Sequence, residues 1–148
     1  MAIKILIMGL PGAGKTTLAR ALAPILSATV FNADEVRAGP HSDLSFSHAD
    51  RIEHARRMGL LCDGVVARGG TAIADFICPT PQTRAAFGDA FVVWVDRIRQ
   101  GRFDDTNALF TAPEHFDVRV DKTGIASEWA EAIVARLGAR RGQLRPSD

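Results

Sequence analysis

The chain has 148 residues, 47% of them hydrophobic and 24% charged, with a formal net charge of +1. That profile describes one globular domain burying roughly two thirds of its unfolded surface. The near-neutral balance gives no global field for nucleic acid or an anionic membrane, so partners must be read from sites.

The apolar run from Ala2 to Met8 is too short to span a bilayer, lacks a small-residue cleavage site and runs straight into a glycine turn. It predicts a first strand over residues 3–8, buried on both faces of a parallel sheet. The turn, Gly9-Leu10-Pro11-Gly12-Ala13-Gly14-Lys15-Thr16, matches G-x-x-x-x-G-K-[ST] in full. Small residues there let successive backbone N–H groups converge on phosphate oxygens at a helix N-terminus. Gly9, Pro11, Gly12, Ala13, Gly14, Lys15, Thr16 and Thr17 are therefore the expected nucleotide-binding residues. Lys15 would reach the β- and γ-phosphates, and the Thr16 hydroxyl would ligate Mg²⁺. ATP with Mg²⁺ is the expected ligand, because neither a G-x-G-x-x-G fingerprint nor an N/T-K-x-D-like base-reading element occurs.

A helix follows over 15–26, with Leu18, Leu22, Ile25 and Leu26 at helical spacing. Residues 28–32 predict a second strand, with Asp34 capping a short helical turn at its edge. The stretch AGPHSDLSFS is loop by composition, and residues 47–68 form a long helix with Ile52, Ala55, Met58, Cys62 and Val65 on one stripe. Gly69-Gly70 ends it. Residues 71–76 are a third strand, 82–87 a short helix, 91–95 a further buried strand and 117–120 a short last one. A final helix is expected over 127–137 with Ser127 as its cap, followed by a loose basic tail over 139–148. Cys62 and Cys78 lack paired C-x-x-C spacing, which predicts two reduced thiols in a cytoplasmic protein.

Strands alternating with helices predict an α/β fold, a three-layer doubly wound parallel sheet, which with the glycine turn is of the P-loop NTPase type, as one domain over 1–138. Ligands of such sheets collect at the carboxyl ends of the strands, where Asn32, Asp34, Asp75, Phe76 and Asp96 fall. Asp34 there can orient and deprotonate a hydroxyl, and Asp75 sits where a Walker-B acid would bind Mg²⁺ through water or hold a substrate hydroxyl.

The segment FNADEVRAGPHSDLSFSHADRIEHARRMG, residues 31–59, resembles the adenylylsulfate (APS) kinase pattern of Asp-Gly-Asp-Asn, an arginine, Asp-Leu-Gly-Phe-Ser, Asp-Arg and Arg-Arg. FICP at 76–79 is similar to that family's Phe-Ile-Ser-Pro, and APEHFDV resumes the likeness after a gap. The resemblance implies transfer of the ATP γ-phosphate to the 3′-hydroxyl of adenylyl sulfate, with Lys15, Asp34 and Arg37 catalytic and Thr16 and Asp34 at the metal. It implies that Arg37 and Arg51 hold the phosphosulfate nucleotide and that Phe46 stacks on its adenine, with His54, Asp75, Phe76, Ile77, Cys78 and Phe110 completing the substrate pocket.

The sequence departs from that pattern at Asn32-Ala33-Asp34-Glu35, at Glu53-His54, at Asp75 and at Cys78. The lid, residues 96–117, is shorter and without the family's lysines; Arg97, Arg99 and Arg102 are its cations, and Asp104-Asp105-Thr106-Asn107 would cap it or meet substrate. Two other readings stay open: a kinase for another hydroxyl acceptor, such as a nucleoside, a sugar or a polynucleotide end, and a non-catalytic ATP-binding module. A homodimer is compatible with the sequence, and a membrane or nucleic-acid partner is not expected.

Overall fold

The computed structural model describes residues 2–39, 41–98 and 109–144, with side chains described through 139. Its elements run β1 (Lys4–Met8), α1 (Lys15–Leu26), β2 (Thr29–Asn32), α2 (Ala33–Ala38), α3 (His48–Ala67), β3 (Ala72–Asp75), α4 (Pro81–Phe87), β4 (Phe91–Val95), β5 (Val118–Val120) and α5 (Ala126–Leu144). The strands form one sheet in the order β2-β3-β1-β4-β5, and every neighbouring pair is parallel.

The continuous apolar β1 lies at the centre because both faces of the sheet are covered. Ile5 and Ile7 point into a core shared with Leu18 and Leu22 of α1 and Ile133 and Leu137 of α5. Leu6 and Met8 point the other way, against Met58 and Cys62 of α3 and Phe87 of α4. The result is the expected three-layer, doubly wound α/β fold. The crossovers place the glycine turn, the end of β2 and the end of β3 along one edge.

Two boundaries differ from the sequence reading. The cap of α2 is Asn32, whose Oδ1 accepts the Glu35 N–H at 3.2 Å, so Asp34 lies inside the first turn. The chain keeps an extended backbone through Asn32 and turns helical directly after it, two residues before the expected position. Helix α5 starts at Ala126, placing Ser127 within the helix, and it continues to Leu144 through much of the tail expected to be loose. Gly138 does not stop it, since one glycine costs about 1 kcal/mol against flanking alanines, arginines and leucines that favour helix.

Lid residues Arg99, Arg102, Asp104, Asp105, Thr106 and Asn107 lie outside the described residues. Among those described, Asp96 pairs with Arg119 at 2.8 Å, and Arg97 reaches the Gly124 carbonyl at 3.4 Å. No helix among the described residues is long and apolar enough to cross a membrane.

Candidate active site

Gly14 caps α1 in the left-handed region at φ +102°, without any side-chain cap, and nothing stands within 4 Å of where a Cβ would project. The N-terminus of α1 opens on a cavity that Gly14, Lys15, Thr16 and Thr17 line, the arrangement that receives a phosphate. The Gly9 N–H donates to the Ile77 carbonyl at 3.3 Å, tying the turn to the end of β3. Lys15 is 8% exposed and its ammonium donates to the Leu10 carbonyl at 2.8 Å, folded back over the turn.

Thr16 Oγ1 donates to Asp75 Oδ2 at 2.7 Å, and Asn32 Nδ2 donates to the same oxygen at 2.9 Å. These residues fit Mg²⁺ of the kind that travels with a nucleotide. That ion takes one or two protein oxygens and leaves its other positions to phosphate and water. An all-protein cage is not what is built here, because no group of three metal-binding His, Cys, Asp or Glu side chains occurs among the described residues.

A cavity of about 690 Å³ opens beyond the turn. Pro11, Gly12, Gly14, Lys15, Thr16 and Thr17 line one side, and Asp34, Arg37, Phe46, Arg51 and His54 line the other. Asp75, Phe76, Ile77, Cys78 and Pro79 form the floor, with Asn32 and Ala33 where the sides meet. Of the residues expected to bind nucleotide, Gly9 and Ala13 shape the turn from behind, Ala13 with its methyl in the core.

On the far side Phe46 is 66% exposed, with the Arg37 guanidinium 4.2 Å from its ring centre and that of Arg51 5.6 Å away. Arg37 also donates to the Ser45 carbonyl at 2.8 Å and Arg51 to the Phe46 carbonyl at 2.9 Å. Burial, then repulsion from Arg51, holds the Arg37 guanidinium below its ordinary pKa. Two crowded guanidinium groups beside an open aromatic face suit a planar base that carries anionic groups. Asp34 is exposed and lines the same cavity as this cluster and the glycine turn.

The remaining predicted residues divide. His54 is 2% exposed, meets His41 Nδ1 to Nδ1 at 3.4 Å, and leaves its Nε2 without a partner. Burial, followed by repulsion from Arg37, lowers its pKa to about 3, so it is a neutral wall of the cavity. Burial pushes the Cys78 thiol up to about 12, which rules it out as a nucleophile at neutral pH. Phe110, expected to touch substrate, is not part of the cavity lining. It packs against the α3–α4 core with Arg84 5.6 Å from its ring, while the Thr111 N–H is pinned on the Pro79 carbonyl at 2.8 Å.

Asn32 is the site residue the sequence reading left out. Its position at a strand end was visible, but its contact with Asp75 depends on pairing between β2 and β3. Arg56 and Arg57 of α3 are committed to acids rather than to the cavity. Arg57 pairs with Asp43 at 2.9 Å and with Glu53 at 2.8 Å, and Arg56 pairs with Glu53 at 2.6 Å.

The family profile described as adenylylsulphate kinase matches residues 1–121. An adenylyl-sulfate kinase of Bacillus pumilus is 40% identical over 150 aligned positions, covering 92% of this chain and 75% of the relative. One from Shewanella sp. (strain MR-4) is 43% identical over 141 positions, covering 92% and 60%. Across such relatives the matched share of their own length runs from 41% to 82%. In fold, the APS kinase of Mycobacterium tuberculosis in complex with AMPPNP and APS superposes with a TM-score of 0.85 at 22% identity, covering 93% of this chain and 98% of that one.

Proposed function

The chain belongs to the adenylylsulphate kinase family, and from that premise we propose that it transfers the γ-phosphate of ATP to the 3′-hydroxyl of adenylyl sulfate. The observation that carries this reading is the sharing of one cavity by the N-terminus of α1, an arginine-flanked aromatic ring and the Asp34 carboxylate.

Bound Mg·ATP would supply an electrophilic terminal phosphoryl group with much of its charge neutralised. The α1 N–H groups and Lys15 hold the phosphates, and Lys15 offsets charge that grows as the transfer proceeds. Arg37 and Arg51 grip the phosphosulfate of the acceptor while Phe46 stacks on its base. Asp34 accepts the proton of the attacking hydroxyl and aims its oxygen. The free, buried Cys62 and Cys78 support a cytoplasmic setting for this chemistry.

The direct test is ATP consumption that depends on adenylyl sulfate, together with a 3′-phosphorylated product. Binding of both nucleotides without that product would overturn the reading. Asp34→Asn is expected to lower kcat by about 10²- to 10⁴-fold, the usual worth of a positioned base. ATP affinity, read by calorimetry, should stay near wild type, because a base that acts on the acceptor contributes little to holding ATP.

A further inference from the structure

Three successive carbonyls of the cavity floor each accept a hydrogen bond from a different part of the chain. Ile77 takes the Gly9 N–H of the glycine turn at 3.3 Å, Cys78 takes Arg84 Nε of α4 at 3.1 Å, and Pro79 takes the Thr111 N–H at 2.8 Å. The middle residue, Cys78, has a left-handed backbone at φ +48°. Among the described residues one other non-glycine shares that region, Ser27, and it ends α1, where such a turn is ordinary. Cys78 follows a strand and has no helix end to account for it. A side chain in that region is strained, and the strain persists only where the surroundings over-determine the backbone.

Arg84 supplies that constraint. Its guanidinium is half-buried, and its described partners are neutral: the Cys78 carbonyl, the Thr111 carbonyl and the Phe110 ring. A cation withdrawn from water without an acid beside it is costly, so this fork is not a generic surface contact. It joins Cys78 to Thr111, and the Thr111 N–H returns to Pro79, closing a ring of contacts around the turn. Phe76, Ile77, Cys78 and Pro79 line the cavity, so the backbone at residue 78 sets where its floor lies.

We propose that Arg84 is a positioning residue for phosphotransfer: by holding the Cys78 and Thr111 carbonyls it keeps residue 78 left-handed, and with it the floor against which the acceptor binds. The proposal rests on the reading of this cavity as the acceptor site.

Arg84→Met keeps a long stem against Phe110 and removes the donors. By steady-state kinetics, kcat/KM for adenylyl sulfate should fall about 10- to 100-fold, as when a reactant is misplaced by a residue away from the chemistry. Two backgrounds separate positioning from plain support. Cys78→Gly and Cys78→Ala empty nearly the same space, but glycine alone takes the left-handed region freely. In the Cys78→Ala background the loss caused by Arg84→Met should stand in full, and in the Cys78→Gly background most of it should vanish. The fall in urea midpoint caused by Arg84→Met should be at least as large with glycine as with alanine, since glycine leaves no strain to release.

Equal kinetic losses in the two backgrounds would overturn the proposal, and so would a midpoint shift that shrinks with glycine. Should Arg84→Met fail to fold, the wild-type Arg84 Nε–H decides by nuclear magnetic resonance. Its signal should be protected from solvent exchange and should shift when adenylyl sulfate binds; a freely exchanging or unshifted signal would overturn the proposal. A wild-type protein that ignores adenylyl sulfate would overturn the reading of the acceptor instead. The clamp would then be judged by the urea midpoints and the Nε–H exchange, neither of which needs a nucleotide.

Discussion

Phe46 exposes 66% of its surface while two guanidinium groups flank its ring, an arrangement with little value for folding. Exposed cation–π contacts contribute only about 0.5–1 kcal/mol, whereas stacking a nucleobase on the ring is worth about 1–3 kcal/mol. Phe46→Ala should therefore raise KM for the acceptor nucleotide by about 10- to 100-fold and leave KM for ATP nearly unmoved. Steady-state kinetics with each substrate varied in turn would show this. Equal rises in both KM values would place Phe46 outside the acceptor subsite. At this scale the sequence was legible wherever function lies in consecutive residues, as from Gly9 to Thr17. It was silent where partners meet through strand register, as Asn32 and Asp75 do from 43 positions apart. It misplaced Phe110, whose side chain follows Thr111 onto Pro79 and the core behind the rim.

Helices α3 and α4 cover the face of the sheet that supports the acceptor side, and their spacing is set by one residue. A Cβ built on Gly59 would stand 2.2 Å from the Phe87 carbonyl oxygen, against backbone that has no rotamer with which to yield. Gly59→Ala should force the helices apart and cost about 1–3 kcal/mol, the usual penalty of overpacking. A urea melt should show a lower midpoint with an unchanged slope. A midpoint equal to wild type would mean that the contact relaxes freely. The helical period of Ile52, Ala55, Met58, Cys62 and Val65 was plain in the sequence, and the structure buries Ala55, Met58, Cys62 and Val65. The need for glycine within that helix was not, because it belongs to a neighbouring element. Helix ends were read to within a residue or two except in α5, where a tail judged by its charge proved helical to Leu144.

For the molecule as a whole, the buried histidines set how stability depends on pH. His54, on α3, faces the loop carrying His41 and Phe76 of the cavity floor, whose ring centre is 6.0 Å away. Arg37 of α2, Arg57 of α3 and His41 oppose its charging, and burial opposes it most. His41 is lowered as well, by burial and by Arg57, although Asp43 and Glu53 pull the other way. With a folded pKa of about 3 against an ordinary 6.5 for His54, the unfolded chain binds more protons throughout that interval. Stability is therefore complete above pH 6.5 and declines as the pH falls toward 3. Glu53, lowered from 4.5 to about 2 by Arg56 and Arg57, contributes stability that is lost only below its ordinary value. The two windows overlap only below 4.5, so a decline between about pH 6.5 and 5 belongs to the histidines. His54→Asn removes the titrating group and should flatten that part of the curve of Tm against pH, with the residue of the slope left to His41. An equal slope in wild type and variant would mean that His54 takes up its proton as readily in the folded protein as in the unfolded chain. The His41 contact and the neutral wall of the acceptor cavity would then both have to be redrawn.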